Sequence, residues 1–370
     1  MKNKIKILIA GCFILLVLFG IYSYKKYTRN IIDEMIARNN LINILIAGRN
    51  VYNDNTFNFY AIVSINPGNN NIGITFIPPD YSIKMNDDGT KIKKISELDF
   101  YYFDRIQYTL KKDIQLNVPF YVKLYSPDVL RIVDMIEGMN LFLLNNFEGL
   151  KANFGVNYFD GRKVVKYING VKDNSIYLKY DRIFDILMTL YHDRENLKKY
   201  ANLDFIIDVI KNIKTNLMPQ EILSLTQVIL KNGNFMATLL PGGFYNGYYQ
   251  VDEISYRTYQ QDFLTNLVTG TEGETNVKIT ILNGTEVPGL ARKYRNDLIR
   301  DGLNVIEFGT FDRTDISSSI LICRSCDYKS ANKVADMTGI NQIYFVTDTT
   351  QLSNILIIIG EDRAGDKKKK

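Results

Sequence analysis

An α/β protein with an N-terminal transmembrane anchor, a layered α/β body and a small βαββαβ C-terminal domain is the fold class this sequence predicts. Three observations carry that expectation. The chain opens on an unbroken apolar segment; strand-length apolar runs then alternate with segments of helical period; and a polar stretch near residue 270 is followed by the same alternation again. At 370 residues, 46% hydrophobic and 23% charged, the chain has length for about two or three domains and a composition that excludes disorder.

From Ile7 to Tyr24, 18 consecutive residues are uncharged and mostly aliphatic, with lysines on both sides. At ~1.5 Å per residue such a helix spans about 27 Å, near the hydrocarbon thickness of a bilayer. Residues 1–29 therefore read as a tail and a single-pass anchor, whose orientation the positive charges at both ends do not settle. A cytoplasmic tail in the cytoplasmic (inner) membrane, with the bulk of the chain extracytoplasmic or periplasmic, is the expectation adopted. Ile9-Ala10-Gly11-Cys12 has the look of a lipoprotein cleavage box. Its apolar run follows the cysteine rather than preceding it, which favours an uncleaved anchor.

Charge and composition prune the functions open to the rest. The net charge is +5, yet residues 1–30 hold six cations and no acid and the last four residues are lysines, so 31–366 carries −5. A slightly acidic body argues against nucleic acid as a partner. With one histidine, His192, and three cysteines, neither a His-rich metal site nor a disulfide framework can be built.

Within the body, 41–268, the apolar run Leu41 to Gly48 reads as a buried strand. Phe57 to Asn66 is a second strand, closed by the turn residues Pro67-Gly68-Asn69-Asn70, and Asn71 to Ile77 is its hairpin partner. Asn86-Asp87-Asp88-Gly89 lacks the alternating acids and closing glutamate of a calcium loop and reads as a hairpin turn. Helical spacing follows over 96–112, a strand over 118–124, and a helix over 127–136 with proline near its start. Helices at 160–167, 181–191, 203–213 and 219–230, a strand at 235–240 and a helix at 256–267 complete the layer. Residues 269–276 read as a linker. The second domain, 277–362, runs strand 277–282, helix 288–300, strands 304–308 and 320–323, helix 328–337 and strand 355–359, a ferredoxin-like βαββαβ order. Residues 363–370 form a basic tail.

These residues resemble a known family. The N-tail and anchor followed by Asn43-Ile44-Leu45-Ile46-Ala47-Gly48 resemble the opening of LytR-CpsA-Psr (LCP) envelope proteins, and Ile62-Val63-Ser64-Ile65-Asn66-Pro67 is similar to their second strand and its turn. Phe76-Ile77-Pro78-Pro79-Asp80, Lys94-Ile95-Ser96, Phe159-Asp160-Gly161 and Asp181-Arg182-Ile183 resemble later blocks in the right order. In the second domain, Val277-Lys278-Ile279-Thr280-Ile281-Leu282-Asn283-Gly284-Thr285 and Val287-Pro288-Gly289-Leu290-Ala291 resemble the LytR C-terminal domain. The resemblance implies a phosphotransferase that moves a glycopolymer from polyprenyl-pyrophosphate to peptidoglycan, assisted by Mg²⁺ if active. Such chemistry needs arginines to neutralise pyrophosphate, an acid to hold the metal and an apolar channel for the lipid.

The chain departs from the family where that chemistry sits. Thr56-Phe57-Asn58-Phe59 replaces an arginine-serine-aspartate-threonine stretch, Pro79 replaces an arginine, and Tyr167-Ile168-Asn169-Gly170 lacks the arginines of its helix. Asp185, Ile186 and Leu187 stand where the family has an arginine and glutamines. By resemblance, Asp80 and Arg182 remain as catalytic remnants, Asp80 also as the Mg²⁺ ligand, and Lys94 as a phosphate ligand, with Arg49 as a displaced substitute. Each missing cation removes a contact worth about 1.5–3 kcal/mol. The resulting reading is a membrane-anchored envelope protein with weakened catalysis, binding polyprenyl-linked glycan, peptidoglycan or an envelope protein partner. The alternative is a working phosphotransferase using Asp80, Arg182, Lys94 and Arg49.

Other features are weighed beside it. Tyr245 and Tyr248, in an aromatic cluster after Pro241-Gly242-Gly243, read either as a ligand groove or as the rim of a packed core. Cys323-Arg324-Ser325-Cys326 has the spacing of a redox pair without its surroundings, and reads as a surface loop or a local disulfide. His192, at a helix end beside Asp193 and Arg194, reads as a capping or surface residue.

Overall fold

The computed structural model describes residues 30–49, 59–170, 175–270, 277–325 and 327–364. The expected anchor, the segment 271–276 of the linker and the tail from 365 lie outside the described residues. Among those described, no helix is long and apolar enough to cross a membrane.

In chain order the body holds strands β1 (Ile42–Arg49), β2 (Phe59–Asn66), β3 (Asn71–Ile77), β4 (Ser82–Lys84), β5 (Ile92–Lys94), β6 (Phe120–Tyr125), β7 (Met139–Leu143), β8 (Gly155–Phe159), β9 (Lys214–Thr215), β10 (Phe235–Leu239), β11 (Gly243–Tyr245) and β12 (Tyr248–Gln250). Its main helices are α1 (Ile31–Ala37), α2 (Phe103–Ile114), α3 (Ser126–Met135), α4 (Gly161–Asn169), α5 (Ile176–His192), α6 (Leu203–Ile210), α7 (Pro219–Ile229) and α8 (Glu253–Tyr259). A π-helical turn at Gln260–Leu264 continues α8.

The central sheet runs β10-β3-β2-β1-β6-β9. β1 pairs antiparallel with β2 and parallel with β6, and β3 pairs parallel with β10. Side chains alternate across the pleat, so the apolar run of β1 feeds both faces. Ile42 and Ile44 join the cluster holding Ile183 and Phe184 of α5 and Leu225 and Val228 of α7. Leu45 and Ala47 join the opposite cluster with Ile106 and Leu110 of α2. The sheet is thus covered on both sides, and each fully buried Ile or Leu contributes about 1.5–3 kcal/mol.

The expected hairpin of β2 and β3 forms in register. Asn66 accepts the Gly68 N–H at 3.0 Å, Asn69 accepts the Asn71 N–H at 3.0 Å, and Asn70 takes a positive φ of 57°. The Asn86–Gly89 turn also closes a hairpin, with β4 antiparallel to β5. Other expectations shift. The 96–112 segment begins as two 3-10 turns before α2. α5 starts at Ile176, earlier than expected, because Ser175 caps it by accepting the Leu178 N–H. The hairpins β7–β8 and β11–β12 were not anticipated, since each strand is short and rich in residues that also suit loops.

The second domain corrects the expected βαββαβ, ferredoxin-like order. It holds β13 (Lys278–Asn283), α9 (Leu290–Arg300), β14 (Asn304–Thr310), β15 (Ile320–Cys323), α10 (Tyr328–Thr338), β16 (Gln342–Phe345) and β17 (Ile355–Ile359), ordered β14-β13-β17-β15-β16. The additional strand, β16, pairs parallel with β15 across α10. Strand β14 lies directly beside β13, rather than split from it as in a ferredoxin-like sheet. All five residues of β17 are buried, which suits the central place it takes.

The two domains are docked. Asp185 of α5 accepts the Thr347 N–H at 2.5 Å and the Tyr167 hydroxyl at 2.8 Å. Tyr328, at the start of α10, lies edge-on to Tyr191 and receives a hydrogen bond from Arg194 at 3.1 Å. Phe142 of β7 stacks on Tyr344 of β16 with ring centres 4.3 Å apart. His192 is exposed at the edge of this junction, as a surface residue at a helix end is expected to be, and its Nδ1 also lies 3.3 Å from the Tyr328 hydroxyl.

Candidate functional site

In an α/β sheet a ligand crevice is expected beyond the carboxyl ends of parallel strands, here β1 and β6. β1 reaches Gly48 opposite Leu124, and β6 passes straight into α3. At this end Phe59, the first residue of β2, lies across Gly48, where a Cβ would meet its ring at 1.8 Å. Beside it is a cavity of about 20 Å³ lined by Gly48, Phe59, Ser126, Asn169 and Lys179, room for roughly one water molecule.

Lys179 is the residue that sequence reasoning missed. Its side chain is 8% exposed, no acid pairs with it among the described residues, and burial alone pushes its ammonium pKa down. Asn169 nearby keeps a buried, unpartnered Oδ1. A buried ammonium without a counter-ion is poised for an anion. The signal lay in spacing: Lys179, Ile183, Ile186 and Leu190 repeat at helical intervals, placing the lysine on an otherwise apolar stripe. Because α5 was expected to begin at 181, that stripe was cut short.

The anticipated site residues fall in three places. Asp80 and Lys94 do come together, Lys94 Nζ donating to Asp80 Oδ1 at 2.6 Å. That bond holds the Lys94 ammonium pKa above its usual value. Tyr248 joins them, its ring centre 6.0 Å from Lys94 Nζ, and the Tyr249 N–H donates to the Asp80 carbonyl at 2.9 Å. Tyr245 stands away at the hairpin tip, 50% exposed, while Tyr249 is buried. The cluster is thus packed into the core at Tyr249 and open at Tyr245.

Arg182 does not share their contacts. Its guanidinium lies 4.8 Å from the Phe147 ring centre and 4.9 Å from that of Tyr167, and donates to the Tyr167 carbonyl at 2.6 Å. It acts as an aromatic clamp between α4 and α5. Arg49 ends β1 opposite Tyr125, but its side chain lies outside the described residues.

The Asp80 carboxylate is engaged by Lys94, and among the described residues no group of three or more His, Cys, Asp or Glu could hold a metal ion. Asp80 is thus the single expected Mg²⁺ ligand placed here, and no step is derived through the cation. Cys323 is disulfide-bonded; Cys12 and Cys326 lie outside the described residues.

Comparison with known proteins agrees with the architecture. Residues 276–362 match the family model described as LytR cell envelope-related transcriptional attenuator. No curated protein matches the chain in sequence. A transcriptional regulator from Enterococcus faecalis superposes with a TM-score of 0.50 at 16% identity, over 63% of this chain and 89% of that one. TagT in a structure titled as bound to LIIa-WTA gives 0.50 at 16% identity, over 62% and 91%. TagV of B. subtilis is also similar, at 0.49 and 18% identity over 62% and 98%. The body therefore has the fold of this regulator and of TagT. More particularly, a body of that fold precedes residues 276–362, which match the LytR C-terminal family model.

Proposed function

We propose that this is a membrane-anchored, extracytoplasmic cell-envelope protein of LCP type that binds glycan or lipid-linked glycopolymer and has lost most phosphotransferase power. One observation carries the reading: among the described residues the remaining cations do not converge. Lys94 is neutralised by Asp80, Arg182 is clamped between two rings, and Lys179 is the one described cation that lines the strand-end cavity, beside Phe59. Phosphoryl transfer is catalysed chiefly by positioned charge, so a lone ammonium supports holding an anion rather than transferring it. The LCP-fold TagT bound to a wall teichoic acid intermediate supports glycopolymer as the ligand class.

The test uses the full chain in detergent with a labelled polyprenyl-pyrophosphate glycan and Mg²⁺. Binding without release of lipid phosphate is expected, weakened about tenfold or more in Lys179→Met. Arg182→Ala should lower stability and leave binding intact. Turnover abolished by Arg182→Ala would instead establish the active-transferase alternative.

A further inference from the structure

A second cavity, of about 460 Å³, opens between the two domains. Its floor is aromatic: Phe76 of β3 and Tyr180 of α5 stack with ring centres 4.6 Å apart and planes 16° apart, and Phe184 and Phe263 extend the wall. Tyr177, 44% exposed, stands at its mouth. The second domain contributes Asp327, Ser330, Thr347 and Thr349. Among the described residues no lysine, arginine or histidine lines it, whereas Asp181, Asp262 and Asp327 do.

That composition decides the ligand. Three carboxylates without a cation repel phosphates and carboxylates, so this cleft is unsuited to the anion that Lys179 would take. Aromatic faces beside hydroxyls and a carboxylate acceptor match a pyranose, whose C–H face packs on rings while its hydroxyls donate outward. Asp181, buried on α5 with one oxygen 3.4 Å from the Thr349 hydroxyl, is placed to accept from such hydroxyls. The volume admits a short oligosaccharide rather than a single sugar ring.

We propose that the interdomain cleft is a binding site for an uncharged oligosaccharide, held by Tyr177, the Phe76–Tyr180 stack and Asp181 and covered by the Thr347–Thr349 loop. It is separate from the strand-end cavity and does not rest on the proposed function. A ligand there touches both domains and fastens one to the other.

The experiment uses the full chain in a detergent without a sugar headgroup. The β-1,4-linked tetramers of N-acetylglucosamine and of glucose are titrated by calorimetry and saturation-transfer NMR, with N-acetylglucosamine 6-phosphate as the anionic comparison. Saturable binding of at least one tetramer is expected, with no binding of the phosphate. Asp181→Ala should weaken it about tenfold and Tyr177→Ala several-fold, while Tyr101→Ala, an 88% exposed aromatic outside the cleft, leaves it unchanged. Should Asp181→Ala fail to fold, the exposed Tyr177 decides. The proposal is overturned if neither tetramer saturates, if the phosphate binds as well as they do, or if Tyr177→Ala binds like the native chain.

Discussion

Lys179 shows how one side chain can set both a stability cost and a binding role. Its depressed pKa means that the folded state holds this proton less tightly than the unfolded chain does. Its contribution to stability is therefore poorest at low pH and improves as pH rises through the folded pKa toward the unfolded value. Lys179→Met should raise stability by about 1 kcal/mol at neutral pH, seen as a higher urea midpoint, and flatten this alkaline rise. A lower midpoint would mean the ammonium has a partner. At this scale the sequence was informative for Asp80 and Lys94, which are 14 residues apart and meet across the β4–β5 hairpin. It was not informative for the direction of Arg182, which depends on Phe147 and Tyr167, aromatics brought beside α5 only by tertiary packing.

Among the elements, α5 matters most. Burial raises Asp181 to about 6 and Asp185 to about 7, so in the folded state both keep protons that the unfolded chain has released by then. The stability these two carboxyls contribute is thus fully present below about pH 4, falls as pH rises toward 7 and levels off above it. Asp185→Asn should remove most of that slope, read from urea midpoints at pH 5, 6, 7 and 8, and should stabilise the protein at pH 8. A slope unchanged in the variant would assign it elsewhere. The crossing of α3 and α4 makes a different demand. Gly161 opens α4 against α3, where a Cβ would sit 2.1 Å from the Leu130 carbonyl oxygen. Gly161→Ala should cost about 1–3 kcal/mol, measured by chemical unfolding. Element existence was legible wherever an apolar run was long, as in β1, β3 and β17. The three-residue strands β11 and β12 were not, because too few side chains repeat to mark a period.

For the whole molecule, docking of the second domain sets cooperativity. Tyr328 contacts Tyr191, Phe345, His192 and Arg194, so Tyr328→Ala should split thermal unfolding into two calorimetric transitions where the native chain shows one. A single transition in the variant would mean that Phe142–Tyr344 and Asp185–Thr347 suffice alone. The boundary near residue 270 was readable from composition, but the docking was not, since Asp185 and Thr347 lie 162 residues apart. The order of the second sheet escaped for a related reason: pairing partners depend on crossovers, which periodicity does not encode. One consequence reaches across all these scales. A single helix, α5, presents Lys179 to the strand-end cavity and, two residues later, Asp181 to the interdomain cleft. The two compartments therefore lie on opposite faces of one rigid helix, about 10 Å across. If filling one shifts that helix, linkage requires each ligand to alter the other's affinity by the same factor, so an anionic carrier and its sugar would be read as a pair.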